Sequence, residues 1–164
     1  MHGQEKMKKK KNKLIEQARK SGGLQQVAAL PYRHREDGNV DYLVITSRRT
    51  HRLIIPKGWP MKGKADRIAA AIEARQEAGV RGTVGERPIG SFSYVKQMEE
   101  MDIPVTAHVF PLEVKKLKSR WKEADCRKRR WVSAAEAAAL LSDRELADLV
   151  QTVSLTLDGS GGLR

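Results

Sequence analysis

The sequence predicts an α/β domain in which a mixed sheet is packed between helices. Three observations carry that expectation. Apolar runs of strand length alternate with alanine- and leucine-rich stretches of helical length along most of the chain. Several strand-like runs pair across short polar turns, as at EDGN (Glu36 to Asn39) and EEMD (Glu99 to Asp102), which argues against a purely parallel sheet. The chain has 164 residues, 40% hydrophobic and 32% charged, a globular balance with length enough for one domain and a real core.

The elements follow in order. Residues 4–20 read as a charged, weakly amphipathic helix carrying Leu14, Ile15 and Ala18. Residues 1–23 are expected as a basic leader, helical or disordered, ended by Ser21, Gly22 and Gly23. Gln25 to Tyr32 favours a buried strand, and Asp41 to Thr46 is its partner across the EDGN turn. A short apolar piece, Leu53 to Ile55, leads into Pro56, and a helix runs from about Ala65 to Ala78. Strand-like segments follow at Ile89 to Val95 and Val105 to Val114, with a short one at Trp131 and Val132. Ser133 is placed as a helix N-cap with Glu136 at the capping-box spacing, and Asp143 to Leu155 continues as helix. The domain is thus expected over 24–155, with a flexible tail over 156–164 that includes DGSGGLR.

Composition narrows the function classes. No apolar run approaches the roughly 20 residues that cross a bilayer, and the N-terminal stretch lacks the apolar centre of a secretory signal. One cysteine, Cys126, excludes an intrachain disulfide framework and fits a reducing compartment, so a cytoplasmic location without membrane association is expected. The net charge of +12 favours anionic partners, whether nucleic acid, polyphosphates or acidic membrane surfaces, and charge alone does not choose among them. That charge is spread through the chain: Lys8 to Lys11, then Arg48, Arg49 and Arg52, then Lys115 to Lys122, then Arg127 to Arg130.

The richest stretch is PKGWPMKGKADRIAAAIEARQEAGV, Pro56 to Val80. Helical residues advance by roughly 100° each, so Glu73, Gln76 and Glu77 share an arc of about 100° on one face. Two carboxylates at i and i+4, with an amide oxygen beside them, can converge on a hard cation such as magnesium, which also takes water and phosphate oxygens. Gly58 lets the incoming loop approach a metal or phosphate closely, and Gly79 suits a left-handed helix stop. Acidic pairs on exposed helices more often bind nothing, so the helix alone leaves both readings open.

The glycine spacing adds to it. The stretch resembles the Nudix box: glycine, five residues, glutamate, seven residues, then arginine–glutamate–aliphatic–any–glutamate–glutamate–any–glycine–aliphatic. Gly58, Glu73, Ala74, Glu77, Gly79 and Val80 stand in matching register. The flanks ITSRRTHRLIIPKG and RKRRW are similar to those of the diphosphoinositol polyphosphate phosphohydrolase branch. The resemblance implies a Nudix-like α/β/α sandwich and divalent-metal-dependent hydrolysis of a pyrophosphate linkage. Its metal positions would be Gly58, Glu73, Gln76 and Glu77, its catalytic positions Glu73, Gln76 and Glu77, and its ion magnesium, with manganese as the alternative.

Three departures qualify that expectation. Lys64 stands where the box has its first glutamate, and Ile72 where it has arginine, so both halves of a structural salt bridge are missing together and no charge is stranded. Gln76 replaces the first glutamate of the pair, offering a carbonyl oxygen without charge or basicity. Glu99, Glu100 and Asp102 are alternative acids. Arg48, Arg49, Arg52, Lys57 and Arg127 are candidates to hold phosphate, while Gln25 and Gln26 stand where the inositol branch tends to be basic. Dinucleoside polyphosphates are therefore a substrate class on equal footing with diphosphoinositol polyphosphates. The alternative is a catalytically weak module that binds nucleotide, polyphosphate or RNA. Trp59, beside Gly58, has two readings, packing as the first and a flank for a substrate base as the second, while His51, His108, Trp121, Trp131 and Cys126 are read as structural or exposed.

Overall fold

Strand β7 (Asp102–Leu117) is the spine of the fold seen in the computed structural model, which describes residues 2–160. One edge of β7 runs parallel to β1 (Leu24–His34). Its other edge is shared antiparallel between β6 (Gly90–Gln97), which pairs along the first half, and β5 (Val80–Val84), which pairs along the second. Pro111 falls at the hand-over, between Val109 paired to β6 and Leu112 paired to β5, where a missing N–H removes no regular ladder bond on that edge. The outer edge of β1 is also divided. Its end, Tyr32 to His34, pairs with β2 (Val40–Thr46), whereas Val27 and Ala28 pair with the two-residue β4 (Lys57–Gly58). Beyond β2 lie β3 (Leu53–Ile54) and β8 (Arg129–Ser133), completing an eight-stranded mixed sheet.

Helix α2 (Asp66–Ala78) covers one face, and α3 (Ala134–Leu140) with α4 (Arg144–Ser160) covers the other, as the expected sandwich requires. Ala69, Ala70, Ala74 and Ala78 are fully buried against Val27, Ala29, Leu43, Ile45, Phe110 and Leu112. Methyl-sized side chains let α2 lie close to the sheet, so the direction of its polar face is rigidly set. Ile68 and Ile72 remain half-buried at the flanks. On the opposite face Tyr42, Phe92, Leu146 and Val150 share a separate core. The predicted capping box forms: the Glu136 amide donates to Ser133 Oγ and the Ser133 amide donates to Glu136 Oε1, each at 3.1 Å.

Two strands escape the sequence pattern. β4 is only two residues long, and VRGTV of β5 carries too little apolar alternation to announce itself. β5 owes its state to the free edge of β7, with a register shift between Arg81 and Gly82 where a side chain at Gly82 would overlap the Glu113 carbonyl.

The basic leader is seated rather than solvated throughout. Helix α1 (His2–Ser21) buries Ile15 and Ala18 against Leu24, Ile103 and Val105, with Met98, Met101 and Trp59 around them. Burying one isoleucine contributes about 1.5–3 kcal/mol, enough to dock the last turns; residues 2–10 stay exposed. At the other end α4 continues through Ser160, past the expected start of the tail at 156, while 161–164 lie outside the described residues. Among the described residues no helix is long and apolar enough to cross a membrane.

Candidate active site

The division of the β1 edge opens the sheet where β4 meets α2. There Gly58 lies directly against Glu73: a Cβ on Gly58 would stand 2.6 Å and 2.8 Å from the two carboxylate oxygens, closer than any side chain tolerates. Any side chain at Gly58 would therefore displace the Glu73 carboxylate. The cleft above this junction has a volume of about 740 Å³ and is walled by the 47–52 loop, by Lys57, Glu73 and Glu77, and by residues 94–97 of β6. The loop is held as a compact turn, with the Ser47 amide donating to the Arg52 carbonyl at 2.8 Å and the Arg52 amide donating to Ser47 Oγ at 2.9 Å. His51 adopts φ 52° within it. The closed turn leaves Arg48, Arg49 and Arg52 exposed at the rim, four candidates with Lys57 that the structure does bring together. Burial draws the Lys57 ammonium below the usual lysine range, and its Nζ stands 5.0 Å from the Tyr94 ring.

Glu77 is 6% exposed. Burial first, then a hydrogen bond with Glu73, pushes its carboxyl up to about 9, against the opposing pull of Arg127. Arg127, a candidate to hold substrate phosphate, also meets the protein's own acids. It is buried, with Nη2 3.4 Å from Glu77 Oε1 and 3.1 Å from Glu123 Oε1, Nε donating to Glu123 at 3.1 Å, and Nη1 donating to the Thr46 carbonyl at 3.0 Å. Four of its five N–H donors face protein acceptors, and it lines the inner wall of the cleft beside Glu77 and Glu123. Glu123 also lines the cleft and was missed in the sequence. Its only signal there is the i, i+4 spacing to Arg127 inside a basic segment.

Gln76 is not among the residues lining the cleft. On α2 it lies roughly 60° from Glu73 on the side away from Glu77, and it faces the loop after β7, whose Glu123 amide donates to the Gln76 carbonyl at 3.1 Å. Lys64 is exposed and Ile72 half-buried, so neither departure strands a charge. Glu99, Glu100 and Asp102 stand outside the cleft, with Glu100 3.2 Å from Lys11. His108 hydrogen-bonds Gln25, Arg33 lies 4.0 Å over Trp131, and Cys126 is exposed. Trp59 both packs against the α1 cluster and lines the cleft.

Among the described residues no three His, Cys, Asp or Glu side chains are gathered tightly enough to form a cage for an ion. Burial first, and then the neighbouring Glu73, keep the Glu77 carboxyl protonated well above the ordinary carboxylate range. A divalent cation would replace the proton and relieve both effects. Magnesium, which keeps several waters and takes phosphate oxygens alongside one or two carboxylates, fits this sparse donor set.

No protein-family model matches the chain. Among curated proteins, Nudix hydrolase 18, mitochondrial, of Arabidopsis thaliana is 34% identical over 145 residues, covering 82% of this chain and 80% of that one. Nudix hydrolase 13, mitochondrial, of the same plant is 33% identical over 110 residues, covering 63% of this chain and only 54% of its own length. Among solved structures, a Caenorhabditis elegans Ap4A hydrolase binary complex superposes with a TM-score of 0.62 at 19% identity, covering 82% of this chain and 98% of that one, a likeness of fold. The box register, the sheet opened beside its helix and the identity sustained across four fifths of a relative agree: the chain belongs to the Nudix hydrolase family.

Proposed function

We propose that this chain hydrolyses a pyrophosphate linkage in a polyphosphate-bearing small molecule, with dinucleoside polyphosphates favoured over diphosphoinositol polyphosphates. The observation that carries the reading is the Glu73–Glu77 pair beside Gly58, in a cleft rimmed by Arg48, Arg49 and Arg52. Glu73, Glu77 and the Gly58 backbone would hold magnesium or manganese. Such an ion supplies charge neutralisation at phosphorus and lowers the pKa of a bound water. The rim arginines offer bidentate contacts to phosphate oxygens and Lys57 a point charge. Arg127 keeps Glu77 and Glu123 at fixed positions on the wall. With Glu73 and Glu77 committed to the cation, Glu123 is the carboxylate left in the cleft to accept the proton of an attacking water.

Two features support the nucleotide side of the choice. Gln26, the β1 residue that lines the cleft, puts no cation on that wall, and it accepts a hydrogen bond from Tyr94 Oη at 2.5 Å, which keeps it there. Trp59 presents a ring to the cleft with Lys96 Nζ 6.0 Å from its centre, an apolar platform against which a base can lie. Product release from diadenosine polyphosphates and diphosphoinositol polyphosphates, assayed side by side with magnesium and with manganese, tests the proposal. Metal-dependent turnover of the dinucleotide at least tenfold above the inositol compound is expected; absence of turnover on both would overturn it. In the same assay Gln76→Glu should change turnover by less than threefold. A tenfold gain would put the amide at the reacting centre.

A further inference from the structure

Behind the cleft, on the other flank of α2, the chain builds a second cationic concavity. Arg75 from α2, Arg81 from β5, and Lys118, Arg120 and Lys122 from the loop after β7 surround Trp121 in a recess of about 210 Å³. No acidic side chain lines it, and none of these five cations has an ion-pair partner among the described residues. Like charges brought together around a concave surface repel one another and focus a positive field into it. That arrangement opposes folding unless an anion occupies it.

The floor of the recess is fixed. Trp121 Nε1 donates to the Glu77 carbonyl at 3.0 Å, and the Arg129 guanidinium stacks 3.8 Å from the centre of the indole. Arg129 is anchored in turn by donating to the carbonyls of Ala78 and Lys118. Gly79 makes this possible, since a Cβ there would fall 3.0 Å from Trp121 Cβ and 3.1 Å from Arg129 Nη1. The cations therefore project from a rigid base. We propose that this recess is a second anion site, separate from the cleft, that takes the clustered phosphates of an oligophosphate. At about 210 Å³ it is smaller than the roughly 300–1,000 Å³ of a ligand pocket, so it holds phosphates without a base or sugar. The same loop carries Glu123, whose amide donates to the Gln76 carbonyl, so an anion in the recess rests on the segment that supplies the cleft with its outer carboxylate.

Inorganic tripolyphosphate is the probe, titrated calorimetrically into the whole chain in EDTA at low ionic strength, so that metal-dependent hydrolysis plays no part. Wild type should bind at two sites, and an Arg48→Glu/Arg52→Glu variant should keep one. Adding Arg81→Ser, Arg120→Ser and Lys122→Ser should then weaken the remaining site at least tenfold. These three side chains are exposed and unpaired, so folding should persist, and thermal unfolding without ligand should show Tm unchanged or raised. In the cleft variant the indole N–H resonance of Trp121 should shift saturably with the probe. Unchanged binding in the recess variant, loss of all binding in the cleft variant, or an unmoved Trp121 resonance would each overturn the proposal.

Discussion

Replacing Glu77 by glutamine should stabilise the metal-free protein while abolishing turnover. The Glu77 carboxyl lies at about 9 in the fold against an ordinary value of 4.5, raised by burial and then by Glu73. Folding therefore takes up a proton at any pH between those values. The stability associated with that proton is fully present below about pH 4.5 and is lost as pH rises towards 9, at up to about 1.4 kcal/mol per pH unit. At pH 7.5 the loss amounts to as much as about 4 kcal/mol. Glutamine presents a neutral group of the same shape and needs no proton, but it gives up the attraction to Arg127. The net gain should be about 1–3 kcal/mol at pH 7.5 and under about 1 kcal/mol at pH 5. Urea unfolding in EDTA at the two pH values measures both. Magnesium should then raise the midpoint of the wild type and not of the variant, because the ion binds only the folded state with its carboxylate pair. A wild-type stability flat between pH 5 and 8.5, or a variant equally destabilised at both, would refute the reasoning. Metal-dependent turnover retained by the variant would remove Glu77 from the site.

The remaining predictions concern the parts that hold this pair in place. Gly58→Ala puts a methyl 2.6 Å from a Glu73 oxygen, so the carboxylate must swing away, and kcat/KM should fall about 10²-fold, the scale of a 1 Å misplacement, with thermal stability nearly unchanged. An unaltered kcat/KM would mean that Glu73 is free to act from elsewhere. Arg127→Met leaves the half-buried Glu123 without its cation beside the buried Glu77 and should cost about 1–3 kcal/mol in denaturant unfolding. Combining it with Glu77→Gln should recover part of that loss; strictly additive effects would contradict the contact.

Much of the architecture was legible because it is written in local pattern. Tyr42 to Ile45 is a continuous apolar run, Ser133 and Glu136 satisfy one another three residues apart, and Gly79 takes the left-handed φ of 66° that ends α2. The box register placed Glu73 and Glu77 on one face, since helical spacing is a property of the chain alone. What local pattern could not show is which side of that face meets the cleft. Gln76 shares the predicted arc but falls beyond the edge where α2 meets the loop after β7. Glu123 is remote in sequence from Glu77 and joins it only through Arg127. The seat of α1 depends on Ile103 and Val105, strand residues some eighty positions further along the chain, about which an N-terminal pattern carries no information.

By itself, then, the sequence determined the layer architecture, the helix that carries the paired carboxylates and the abundance of cations along the chain. Periodicity, turn chemistry and composition act over a few residues and survive without tertiary contacts. Only the folded chain decided how those cations divide. It left Arg48, Arg49 and Arg52 exposed at the cleft rim, turned Arg127 inward onto two carboxylates, and gathered Arg75, Arg81, Lys118, Arg120 and Lys122 around Trp121. The charge of an arginine is fixed by its chemistry, but its task depends on which partners lie within a few ångströms once the sheet has closed, and those partners come from distant segments.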